Sequence, residues 1–76
     1  MEQTIKELTL LLMYLTSWKE DIGLAEVRRT WKGYPFDTIN DLTDEDLISG
    51  SHRSKSVYFT DNGIEAAERL VKKYLR

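Results

Sequence analysis

The sequence predicts a small, mainly helical α+β domain: three N-terminal helices, a two-stranded β-hairpin and a C-terminal helix, in one unit spanning residues 1–76. Three observations predict it. Apolar residues recur at helical spacing near both ends of the chain. Gly23 and the run Lys32-Gly33-Tyr34-Pro35 punctuate the middle. The alternation Val57-Tyr58-Phe59 follows the turn signal Ser49-Gly50-Ser51, which reads as a hairpin.

The first helix is predicted over residues 3–17. At 100° per residue, Ile5, Leu8, Leu12 and Leu15 fall within about 80° of one another and are expected to face the core. Leu10, Leu11, Tyr14 and Trp18 widen the apolar arc beyond the roughly 100° that one small core needs. That surplus predicts a second surface, expected to be a subunit contact in a homodimer. Residues 24–30 read as a short helix, with Leu24, Val27 and Trp31 on one face. After the Gly/Pro turn a third helix is predicted over 35–44, with Phe36, Ile39 and Leu42 inward. Residues 47–48 and 56–60 form the hairpin strands around a polar loop. Thr60 suits an N-cap for the last helix, and Asp61 favours its dipole. Ile64, Ala67, Leu70, Val71, Tyr74 and Leu75 give that helix its apolar stripe.

Composition bounds the function. Seventy-six residues with 41% apolar, 32% charged and a single proline describe a folded, water-compatible chain. A chain this short buries only about 60% of its unfolded surface, so its stability margin is thin. There is no cysteine to supply a disulfide or a thiolate zinc site. The net charge of −2 argues against nucleic-acid binding by bulk electrostatics. The apolar run at 8–15 lacks a basic leader and falls short of the roughly 20 residues a membrane span requires. The expectation is a cytoplasmic protein with no membrane contact.

The order helix, short helix, Gly/Pro turn, helix, hairpin, helix resembles a winged helix-turn-helix domain over most of the chain. Phe59-Thr60-Asp61-Asn62-Gly63 carries the most specific part of the likeness. Leu11-Leu12-Met13-Tyr14-Leu15-Thr16-Ser17-Trp18, Trp31-Lys32-Gly33-Tyr34 and the segment from Ser49 to Tyr58 resemble a family of small microbial winged-helix proteins of unknown function. The resemblance implies a fold and no activity.

In such a fold the third helix reads the major groove and the wing touches the backbone. Charge by segment divides those roles here. Arg28, Arg29 and Lys32 against Glu26 give 24–36 a surplus of positive charge, and Arg53 and Lys55 do the same for the loop around His52. Residues 37–46 carry Asp37, Asp41, Asp44, Glu45 and Asp46 and no cation, which opposes major-groove readout. The expected nucleic-acid contacts are therefore Arg28, Arg29, Lys32, His52, Arg53 and Lys55, in a weak DNA-binding regulator that touches phosphates of double-stranded DNA. The alternative is a protein-interaction domain whose acidic helix meets a basic partner protein. Trp31, Tyr34 and Phe36 either fill the core or form an exposed stacking platform; the size of the chain favours the core for Trp31 and Phe36. No nucleophile, phosphate loop or metal-ligand spacing stands out, so no enzyme activity, cofactor or metal is expected.

Overall fold

The computed structural model describes residues 2–21, 23, 26–50 and 54–75. The chain runs α1 (Glu2–Leu15), β1 (Trp18–Asp21), β2 (Glu26–Trp31), α2 (Phe36–Asp44), β3 (Ile48–Ser49), β4 (Ser56–Phe59) and α3 (Asp61–Tyr74). The strands form one antiparallel sheet in the order β1-β2-β4-β3. This overturns the winged helix-turn-helix expectation. There are not three helices ahead of a hairpin wing: the described part of the predicted second helix is β2, the central partner of β4.

The physical reason lies in the pattern of Glu26–Trp31. Its Val27–Trp31 spacing fits a helix face, but Val27, Thr30 and Trp31 are strand formers. Alternation along the strand places Thr30 opposite Val57 on one face and Trp31 opposite Ser56 on the other. Ahead of it, α1 stops where the Thr16 hydroxyl donates back to the Leu12 carbonyl at 2.9 Å and Ser17 donates to that of Tyr14. The backbone then turns into β1, and Gly23 adopts φ +92° between the two strands.

The three helices cover one face of the sheet, with α1 contacting both α2 and α3. The core joins Leu10, Leu11 and Met13 of α1, Ile39 and Leu42 of α2, Ala67 and Leu70 of α3, and Ile48, Val57 and Phe59 of the sheet. The inward face of α1 is thus the reverse of the one its tightest apolar cluster predicts. Ile5, Leu8, Leu12 and Leu15 are 45–54% exposed, whereas Leu10 and Met13 are 2% and 0%. Both arcs are apolar, and the sheet and two helices need the wider one. Trp31 and Phe36, expected in the core, are also exposed; Tyr34 packs partly against it.

The expected cap of the last helix is present. Thr60 Oγ1 accepts from the Gly63 N–H at 3.0 Å and donates to the Asp46 carbonyl. Gly63 is required for contact rather than for flexibility, because a Cβ there would lie 1.8 Å from the Leu47 carbonyl oxygen. The α1–α3 seam closes through Glu7, which accepts from the Tyr74 hydroxyl at 2.7 Å and from Lys73 Nζ at 3.0 Å.

Two outcomes are expected. Thr30 is fully buried and its hydroxyl has no hydrogen-bond partner among the described residues, a cost of about 1–3 kcal/mol for a polar group so placed. Thr30→Val, which keeps the shape, should therefore raise the urea midpoint by the equivalent of about 1 kcal/mol. The Tyr74 hydroxyl, then Lys73 and Gln3, hold the Glu7 carboxyl down at about 2 against an ordinary value of 4.5. Its contribution to stability is present above pH 4.5 and is lost as pH falls from there toward 2. Melting curves across that window should show wild type losing its advantage over Glu7→Gln.

Candidate nucleic-acid interface

Among the described residues, no element covers the sheet face turned away from the helices, and pairing register fixes what stands on it. Trp18 lies opposite Arg29, Arg29 opposite Tyr58, and Tyr58 opposite Ser49, so these four share one row. The next row on the same face pairs Trp31 with Ser56. Trp18 and Trp31 are therefore diagonal neighbours, and their rings meet at a centroid distance of 5.1 Å and a tilt of 48°. Trp31 is 59% exposed and Tyr58 is also open to solvent. The result is an aromatic floor of two indoles and a phenol around one guanidinium.

Arg29 is held in place on this floor. Its Nη2 donates to Ser56 Oγ at 3.3 Å, and its Nε lies 3.8 Å from Glu20 Oε2. Glu20 also accepts from the Trp18 indole N–H at 3.4 Å. One carboxylate thus orients both the arginine and the tryptophan. It also offsets the arginine's charge, so the face presents aromatic surface and hydrogen-bond donors more than net positive potential. Lys55 is exposed beside Ser56 at one end of the floor. Lys19 and Glu26 pair at 3.7 Å at the far end of the sheet.

The structure separates residues that the sequence groups together. Arg28, adjacent to Arg29 in the chain, sits on the helix side of the sheet, where it lies 4.8 Å over the Tyr14 ring and donates to Ser17 Oγ at 2.8 Å. Lys32 donates its backbone N–H to the Lys55 carbonyl at 3.1 Å, which joins the two expected cations at one end of the β2–β4 ladder. Its side chain lines a groove of about 420 Å³ with Tyr34 and Phe36 beside α2. His52 and Arg53 lie outside the described residues.

The four residues expected at a subunit contact are likewise dispersed. Leu10 and Leu11 are in the core, Tyr14 meets Phe59 edge-on at 5.8 Å, and Trp18 belongs to the aromatic floor. Sequence reasoning assigned neither Trp18 nor Tyr58 to this face, and it favoured the core for Trp31. The available signal was the alternation Val27-x-Arg29-x-Trp31 matched to Trp18-x-Glu20 across Gly23.

The family described as a domain of unknown function, DUF6429, matches residues 1–76. The chain belongs to the DUF6429 family. No curated protein and no solved structure matches it. No described helix of this DUF6429 domain is long and apolar enough to cross a membrane. Its distinguishing chemistry is the open sheet face, and the core beneath that face fixes how much each aromatic adds to stability. Phe59→Ala, which empties a buried site, should cost about 3–5 kcal/mol. Trp31→Ala, on the open face, should cost only about 1 kcal/mol in the same denaturation assay.

Proposed function

We propose that this DUF6429 domain binds single-stranded nucleic acid, RNA or DNA, by stacking bases on the open sheet face. One observation carries the reading: Trp18, Trp31 and Tyr58 surround Arg29 on a sheet face that no described element covers. Aromatic rings on a flat sheet accept any base, because every base has a π-face. An arginine fork among them stacks or donates to base edges and phosphates. Ser49 and Ser56 add hydroxyls in the same rows, and Lys55 supplies a cation at the rim. Duplex DNA is a poorer ligand for this face, because its bases are stacked on each other and hidden from a flat platform. Helix α2, with Asp37, Asp41 and Asp44 and no cation, also opposes groove insertion.

A protein-docking role is the second reading. It is supported by exposed Trp31 and Tyr58 beside half-buried Trp18 and Arg29, a composition enriched at binding hot spots, and by the acidic α2, which would steer a basic partner.

Fluorescence anisotropy with labelled eight-nucleotide rU and dT strands in low salt distinguishes the two readings. The expected result is saturable binding with Kd near ~10 µM, shallow salt dependence and a weaker response to duplex of equal length. Trp31→Ala and Arg29→Ala should each weaken binding by about 5- to 100-fold, whereas Arg28→Lys, on the covered side of the sheet, should leave it unchanged. Absence of binding at ~200 µM strand, far above that range, would sink the nucleic-acid reading and leave the protein partner.

A further inference from the structure

We propose that the outer face of α1 is the seam of a parallel two-fold dimer with a second copy of this chain. The four apolar side chains that α1 leaves exposed are Ile5, Leu8, Leu12 and Leu15, each close to half open to solvent. Their spacing of three, four and three residues is that of the a and d positions of a heptad, the pattern that packs one helix against another knobs-into-holes. No charged residue interrupts the stripe.

The flanks say which occupant fits. On one side of α1, Lys6 bonds Glu45 at the end of α2, next to Asp41 and Asp44. On the other side, Glu7 binds Lys73 and Tyr74 at the end of α3, next to Lys72 and to Arg69, which itself pairs with Glu65 one turn earlier. Lys6 and Glu7 are consecutive, so the acidic flank and the basic flank stand at nearly the same height along the helix, on opposite sides of the stripe.

A two-fold axis parallel to α1 places the acidic flank of each copy beside the basic flank of its partner, at matching height. An axis that makes the helices antiparallel puts like flanks on the same side instead. A second copy in parallel register therefore satisfies both the apolar stripe and the charges. The seam side chains of two copies together amount to roughly 700 Å², below the size of a stable interface, so association is expected to be weak. In this arrangement the helix layers meet at the centre and the two aromatic sheet faces point outward.

Sedimentation equilibrium of the full chain should give a dimer with Kd of roughly 10–100 µM that weakens as salt rises. Leu8→Glu combined with Leu12→Glu places charge only on exposed positions, so it should keep the native circular dichroism and sediment as a monomer. The chain has no cysteine, which makes single-cysteine cross-linking clean. Leu12→Cys alone should oxidise to a covalent dimer, because a parallel two-fold seam brings each Leu12 against its own copy. A monomer at ~500 µM, well above that Kd range, would overturn the proposal. So would a dimer indifferent to the two glutamates, or cross-linking only in a mixture of Leu8→Cys and Leu12→Cys chains, which reports the antiparallel seam.

Discussion

The pairing of β2 with β4 is the constraint on which this molecule rests. It sets Thr30 against Val57, beneath the helices, and so gives Leu10, Met13 and Leu42 a surface to pack on. The same pairing fixes which residues cannot be buried. Once Thr30 faces inward, the pleat sends Arg29 and Trp31 to the other side, where no described helix lies. Core and platform are two readouts of one register. A one-residue slip would exchange them, putting an arginine and a tryptophan under α1.

Within that frame, the oppositely directed neighbours Arg28 and Arg29 have different work. Arg28 closes the end of α1 by lying over Tyr14 and binding Ser17, so its charge serves packing. Arg29 is steadied by Glu20 and Ser56 and stays among exposed rings. Preorganisation of this kind lowers the ordering cost that a long side chain pays when it meets a ligand.

Part of this was legible in the sequence. The last helix, its Thr60 cap and the β3–β4 hairpin follow from local chemistry, namely a hydroxyl ahead of an acidic first turn and strict alternation at Val57–Phe59. The third predicted helix also stands, as α2. The second did not, because Val27 and Trp31 satisfy a helical period and a strand period equally well, and the deciding partner, β4, is about thirty residues away. The exposed side of α1 was misread for a related reason: a helix apolar around most of its circumference does not say which arc its own core will use. Gly63 shows the reverse case, in which a residue that weakens a helix locally is required by the Leu47 carbonyl pressed against it. The aromatic floor needed the register itself, since Trp18, Trp31 and Tyr58 come from three different strands.

The ends of the sheet have their own consequence. Its outer strands are β1, with Lys19, Glu20 and Asp21 in a row of four residues, and β3, only two residues long. A short border and a charged border are both poor templates for a further strand, since neither offers a long uncharged row of free backbone donors and acceptors. Polymerisation through β-ladder extension, the ordinary route from a small sheet to a fibril, is thereby discouraged, and encounters with other molecules are directed to the broad surfaces above and below.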